Sequence, residues 1–351
     1  MIRVQIPDMP STEELLPYLR RIDEARAYVN RGPLVQELEA RLEKMCSVPC
    51  VTVSSGTAAL ELALRSLRGA GKGVLLPALT FSATGLAVLS ARAEPVLCDV
   101  SAENWQLQAA TVKELIENRK AEIDDHLDQG HSWGPAEISA VIPVATFGLP
   151  IELTQWEGLS IPVIIDAAGA FPSQQVSKTP NVATCFSLHA TKFVGAGEGG
   201  FVASANDELI DRIIDLSTFG KFGTNAKLSE YHAAVALASL DRMGGKLQRT
   251  AEVYNWYKEH GIADWKHKLS STMLVVELPR YDATLSYMTQ YGVECRQWYR
   301  PWLDERPEFA GGGKLPVTES LRQRLLGLPL HNFLTERDVA HVMETLRKVM
   351  T

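Results

Sequence analysis

A short apolar strand feeding directly into a helix, repeated along the chain, is the feature that most limits what this sequence can fold into. It is clearest where Cys50-Val51-Thr52-Val53 runs through Ser54-Ser55-Gly56-Thr57 into residues 58–67, a stretch of strong helix formers. Further strands are expected over 73–77, 95–99, 139–144, 162–166, 183–188 and 200–204, with helices over 82–92 and 111–135. Strands of this kind alternating with helices bury both faces of a parallel sheet. The expected class is therefore α/β, with a mostly parallel, helix-covered sheet preceded by helices over 12–27 and 34–47. From about residue 228 the pattern changes to consecutive helices, 228–242 and 245–259, and then an apolar strand over 272–278. A large domain of residues 1–227 followed by a smaller C-terminal α+β domain of residues 228–351 is the expected organisation. Gly311-Gly312-Gly313 reads as a loop in the second domain, and residues 118–132 as a solvated helix face and loop.

Length and charge narrow the function. At ~100–200 residues per domain, 351 residues is room for about two domains. With 42 acidic and 35 basic residues the net charge is −7, which argues against a nucleic-acid footprint or a polybasic membrane anchor. There is no run of about 18 apolar residues, and the opening MIRVQIPDMP lacks the apolar core of a signal peptide, so a soluble cytoplasmic protein is expected. Five cysteines, an odd number in a long chain, point to a reducing compartment rather than a disulfide framework. Cys46 and Cys50 have no second Cys or His pair beside them, so no metal site is expected.

Four local features could carry chemistry. Lys192 lies just beyond the strand 183–188, where burial would lower its ammonium pKa and leave a nucleophilic amine. Asp166 ends an apolar strand at the sheet edge where α/β folds bind ligands, and could pair with a protonated ring nitrogen. Ser55-Gly56-Thr57 opens a helix, whose free N–H groups favour a phosphate. Phe81, after the strand 73–77, could stack on an aromatic ring. Singly, each has an ordinary reading: a lysine reaching the surface, a turn aspartate, an N-cap, a core phenylalanine. In this order within one α/β domain they describe a pyridoxal phosphate site. Gly195-Ala196-Gly197-Glu198-Gly199-Gly200 echoes a dinucleotide fingerprint, but it leads into a strand instead of opening a helix.

The ordered set Ser55-Gly56-Thr57-Ala58-Ala59-Leu60, Pro77-Ala78-Leu79-Thr80-Phe81, Asp166-Ala167-Ala168, Ser187 with Thr191-Lys192, Gly197-Glu198-Gly199-Gly200, Asn225 to Glu230, and Leu328-Pro329-Leu330-His331 resembles the DegT/DnrJ/EryC1/StrS family of PLP-dependent sugar aminotransferases. The resemblance runs from Gly32-Pro33 to about residue 347. It implies a fold type I aminotransferase, a homodimer with active sites at the subunit interface, and pyridoxal phosphate as cofactor. It further implies transfer of an amine, from L-glutamate as donor, to a nucleotide-linked keto-sugar. By the same resemblance Lys192 would bind the cofactor covalently and Asp166 its pyridine nitrogen. Gly56, Thr57 and Ser187 would hold the phosphate, Phe81 the ring face, and Asn225 the phosphate of the neighbouring subunit's cofactor. Tyr28, Asn30, Lys227 and His331 match positions that face the substrate.

Two departures are visible. Gly169 stands where the family usually has Gln or His after Asp-Ala-Ala, and Ala145 where a His is frequent, so two polar groups expected in the pocket are absent. The lysine itself is intact, which argues against the family's dehydratase branch. A cyclitol aminotransferase, a dehydratase, or a non-catalytic regulatory dimer that binds the same ligands are the alternatives. His189 reads as an ordinary strand residue, and Trp298 and Trp302 as either small-domain core or a base-stacking wall.

Overall fold

The computed structural model describes residues 1–67, 71–128, 136–279, 281–309 and 313–350. The expected helix ends near 135 and parts of the 118–132 and 311–313 segments fall outside these residues. Seven strands form the main sheet: β1 Cys50–Val53, β2 Gly73–Pro77, β3 Glu94–Cys98, β4 Ile138–Val141, β5 Val163–Asp166, β6 Val182–Ser187 and β7 Gly200–Ser204. Their spatial order is β1-β7-β6-β5-β4-β2-β3. The pairs β2/β3, β2/β4, β4/β5 and β5/β6 are parallel, whereas β7 runs antiparallel to both β6 and β1. The sheet is therefore mostly parallel, as the alternation of strands and helices predicts.

The reversed strand has a local cause. No crossover helix separates β6 from β7, and a parallel return would need one. Instead the chain doubles back on itself, with Leu188 N–H donating to Gly199 O at 2.8 Å and Ala190 N–H to Gly197 O at 2.9 Å. Gly197 and Gly199 adopt φ of +85° and +149°, values that side chains strongly disfavour. The glycine run thus makes a turn, and Lys192 sits at its tip.

Both faces of the sheet are covered. Cys50, Leu75, Val163, Ile165, Phe186 and Phe201 pack on one side, while Val51, Val53, Leu76, Ile164, Cys185 and Val202 pack on the other. Alternate residues of each strand serve opposite cores, which is why the strands read as nearly continuous apolar runs. Among the helices, Asp207–Ser217 was not expected from the sequence, and the helix Gly56–Ser66 begins two residues earlier than its apolar pattern suggests. The early start follows from Ser55, whose hydroxyl caps the helix by accepting from Ala58 N at 3.0 Å.

Beyond the helix Glu230–Asp241, whose Ala233, Ala234 and Leu237 join the core of the main sheet, a second antiparallel sheet is built from β8 His267–Leu269, β9 Leu274–Glu277 and β10 Leu325–Leu328. Its core includes Val253, Tyr257, Val276, Leu328, Val342 and Leu346. The first residues of the chain run alongside it, with Ile2 bridging Val293 and Val4 O accepting from Leu330 N at 3.0 Å. Among the described residues no helix is long and apolar enough to cross a membrane.

Candidate active site

The C-terminal ends of the parallel strands meet at one edge, and four of them deliver side chains there. Asp166 ends β5 and Ser187 ends β6, Phe81 follows β2, and Ala145 follows β4. The helix Gly56–Ser66 opens toward the same edge after β1. Gly56, Thr57, Phe81, Asp166, Ser187 and Lys192 all line a single cavity of about 390 Å³. Six of the residues singled out from the sequence therefore converge.

The floor of the cavity is electrostatically unusual. Asp166 is 6% exposed; its Oδ2 accepts from Thr84 Oγ1 at 2.7 Å and its Oδ1 from Ala168 N at 3.1 Å. Burial pushes its carboxyl pKa up, and the Thr84 and Ala168 donors and the Lys192 charge only partly offset this. Burial pushes the Lys192 amine down, with Asp166 opposing. Thr84 is itself held by Thr80, their hydroxyls 2.7 Å apart, so the two threonines orient the carboxylate for a cationic partner. Phe81, on the wall of the same cavity, is 59% exposed.

The far end of the cavity is shaped for an anion. Gly56 has no room for a side chain, because a Cβ there would lie 2.8 Å from the Cβ of Ser187. Gly200 is equally confined, its would-be Cβ falling 2.7 Å from Gly56 N. The first N–H groups of a helix have no intrahelical partner and carry the positive end of its dipole. Ser187 Oγ accepts from His189 N at 3.2 Å, which leaves its proton free for a ligand in the cradle. A buried carboxylate awaiting a cation, an amine depressed by burial and an anion cradle without side chains together fit pyridoxal phosphate.

A sequence profile of the DegT/DnrJ/EryC1/StrS aminotransferase family matches residues 10–347. The chain belongs to this family. Among its family relatives is the erythromycin biosynthesis sensory transduction protein EryC1 of Saccharopolyspora erythraea, 30% identical, with 90% of each chain covered. Another is the UDP-N-acetyl-3-dehydro-alpha-D-glucosamine 3-aminotransferase of Acidithiobacillus ferrooxidans, 27% identical over 100% of this chain and 97% of its own. The crystal structure of DesI in the presence of its TDP-sugar product superposes with a TM-score of 0.85 at 27% identity, covering 99% of this chain and 92% of DesI.

In this family member the other substrate-facing candidates lie apart from the cavity. Lys227 donates to Asn225 Oδ1 at 2.7 Å and sits over the Phe219 ring at 4.3 Å. Tyr28 stacks on Tyr231 with centroids 6.2 Å apart, and Asn30 is exposed at a positive φ of 66°. His331 lines a different, smaller recess.

Several cavity residues were not singled out from the sequence. Gln5, Thr272, Met273, Arg296 and Tyr299 complete the wall from the chain's start and its C-terminal third, beside Trp298, which the sequence left as small-domain core or a base-stacking wall. Tyr299 stacks on Phe147 at 5.1 Å and its hydroxyl accepts from Phe147 N at 2.8 Å, beside the Gly169 and Ala145 positions that lack polar side chains. Of the two tryptophans, Trp298 lines the cavity while Trp302 is buried with Trp105 and Leu321. His189 stands on the cavity wall just past β6, its Nδ1 accepting from Thr191 N at 3.2 Å.

Proposed function

We propose that this protein transfers the amine of an amino acid, L-glutamate, to a keto group on a nucleotide-linked sugar, with pyridoxal phosphate as the carrier. It works as a cytoplasmic homodimer whose two sites are shared. The observation that carries the reading is the convergence of Lys192, Asp166 and an anion cradle in one cavity. Relatives of the chain are named for amino transfer to UDP- and dTDP-linked sugars.

When bound, pyridoxal phosphate supplies an aldehyde that takes up amines and a ring that draws electrons from the carbon beside them. Every other task falls to this chain. Gly56, Thr57 and Ser187 hold the phosphate, and Phe81 confines the ring. Asp166, oriented by Thr84, would keep the ring nitrogen protonated, because a carboxylate beside it favours the cationic ring. Lys192 Nζ, on the cavity wall, is the amine that would bind the aldehyde and that a donor amine would displace. The same nitrogen would take the proton from the donor's α-carbon and deliver it to the former aldehyde carbon on the other side of the transferred nitrogen. Burial lowers its pKa, with Asp166 opposing, and so favours the neutral, basic form that this task uses. Positioned proton transfer of this kind contributes on the order of 10²–10⁴ in rate.

The shared site is supported by what surrounds the remaining candidates. Lys227, bonded to Asn225, sits over Phe219, which is 68% exposed as Phe222 is 82% exposed, and Tyr28 stacks on Tyr231, half in solvent. Exposed aromatic rings beside these candidates are what a surface covered by a second copy would bury. A second copy docked there would bring Asn225 to its partner's phosphate.

Two measurements test the reading. L-glutamate added to the loaded protein should convert the cofactor to its amine form, read from the visible spectrum, and a panel of UDP-, TDP- and GDP-linked 3-keto and 4-keto sugars should gain an amine by mass. Absence of the first conversion, or a Lys192→Ala variant that still transfers amines, would overturn the proposal.

A further inference from the structure

Lys192 stands on irregular backbone in the turn between β6 and β7, so the direction of its side chain depends on what holds the peptide groups around it. Its own N–H donates to His189 O at 2.8 Å. The two carbonyls that flank it, Thr191 O and Phe193 O, accept from no backbone N–H among the described residues. Each is taken up instead by one side chain from outside the sheet. Gln5 Nε2 donates to Thr191 O at 2.9 Å, and Lys246 Nζ donates to Phe193 O at 2.6 Å.

Both side chains are tied to the start of the chain. Gln5 belongs to it, and the Lys246 ammonium also donates to Asp8 O at 3.0 Å. Lys246 is buried, in the helix Met243–Glu259, and a buried ammonium is costly unless its protons are used. Here they are used on two main-chain carbonyls, with the Asp8 carboxylate 4.0 Å away. The opening segment is in turn fastened on both sides of Gln5. Val4 O accepts from Leu330 N at 3.0 Å, and Asp8 Oδ2 accepts from Asn332 Nδ2 at 2.9 Å. Gln5 therefore reaches the Lys192 turn from a backbone that is itself held, and it lines the main cavity beside the lysine.

We propose that Gln5 and Lys246 are positioning residues that fix the peptide groups on either side of Lys192, and so set where its amine stands relative to the aldehyde it would bind and the proton it would move. The proposal rests on the reading of Lys192 as the cofactor-binding amine. Neither residue makes or breaks a bond in this scheme. Each acts through a main-chain carbonyl, and removing its donor removes the restraint on that peptide plane. A reacting group misplaced by about 1 Å can lose on the order of 10²-fold in rate.

The test separates attachment from binding. Gln5→Met keeps the length of the side chain and removes its donor. In the full-length protein, attachment of pyridoxal phosphate to Lys192, trapped with borohydride and read by mass, should slow about tenfold, and so should the glutamate half-reaction. The KM for glutamate should stay at its wild-type value. So should the affinity for pyridoxamine phosphate, which has no aldehyde for the lysine to bind. A general loosening of the cavity would weaken both ligands instead. Lys246→Met should show the same split together with a lower urea midpoint, because it leaves two carbonyls without their donor; should it fail to fold, Gln5→Met decides. Wild-type attachment and half-reaction rates in either folded variant, or an equal loss of pyridoxamine phosphate affinity, overturn the proposal. Pyridoxal phosphate that does not attach to Lys192 in the wild type would instead overturn the underlying function.

Discussion

Glu230 reaches across nearly two hundred residues of sequence to cap a helix, its Oε2 accepting from Leu34 N at 2.8 Å and its Oε1 from Val35 N at 2.9 Å. Gly32 makes the approach possible, since a Cβ there would stand 2.8 Å from the Glu230 Cδ. Two sequence features noted for their family likeness, Gly32-Pro33 and the segment ending at Glu230, are thus two halves of one contact. The contact also anchors the start of the helix Glu230–Asp241 to Tyr28, through Glu230 N donating to Tyr28 O at 3.0 Å.

Removing this cap should be costly. Glu230→Ala leaves two buried N–H groups at a helix N-terminus without acceptors, for a loss of about 2–4 kcal/mol. Glu230→Gln keeps one acceptor oxygen and should lose about half as much. Gly32→Ala forces the carboxylate aside and should resemble Glu230→Ala more than a surface substitution. Urea denaturation midpoints of the three variants check the ranking.

The phosphate cradle should be intolerant of a single methyl group. Gly56→Ala places a carbon 2.8 Å from the Ser187 Cβ and 3.3 Å from its Oγ, so either the helix start or the serine must move. Cofactor affinity should fall at least about tenfold, the equivalent of one lost hydrogen bond to a charged group. Overall stability should fall far less, because the displaced groups face a cavity. Equilibrium dialysis of pyridoxal phosphate beside a thermal melt separates the two effects.

Strands β1, β2 and β7 were legible to the residue, because burial on both faces leaves an uninterrupted apolar run that ends abruptly at a turn. The reversed direction of β7 was not, since it depends on how the glycine run folds back on β6. Lys192 and Asp166 were legible as strand-end residues of costly burial. Thr84 was missed although it stands four residues from Thr80 at a helix start, the spacing that lets their hydroxyls meet. Gln5 gave no signal at all: its amide donates to Thr191 O at 2.9 Å, across a separation of 186 residues that only the tertiary fold closes. The cluster Arg296, Trp298 and Tyr299 did give one, in its density of aromatic and guanidinium groups, without saying which of them would face the cavity.

Tyr299 should be felt in both stability and cofactor binding. Tyr299→Phe deletes the acceptor of the Phe147 N–H while keeping the ring stacked on Phe147, so the loss is about 1–3 kcal/mol for the orphaned donor. Its hydroxyl proton is the polar group available on that part of a wall where Gly169 and Ala145 offer none. Cofactor affinity should therefore drop about three- to tenfold. A variant with wild-type affinity and a lowered urea midpoint would assign the phenol to packing alone.

The pH behaviour of the cofactor-free protein follows from the direction of the two floor pKa shifts. Lys192 has a folded pKa below that of the unfolded chain, so between the two values the native state binds fewer protons than the unfolded one, and stability rises with pH through that window. The contribution is fully present above the unfolded value near 10.5 and is lost as pH falls through the depressed one. Acetylation of Lys192, followed by mass spectrometry, should accordingly persist at pH values where exposed lysines such as Lys113 have slowed. Asp166→Asn removes the charge that supports the ammonium and should shift the Lys192 midpoint further down. Lys192→Met should reduce the slope of stability with pH in that window by this lysine's share, leaving that of the likewise depressed Lys246. An Asp166→Asn protein whose Lys192 titrates unchanged would show that the two groups do not sense each other across the cavity floor.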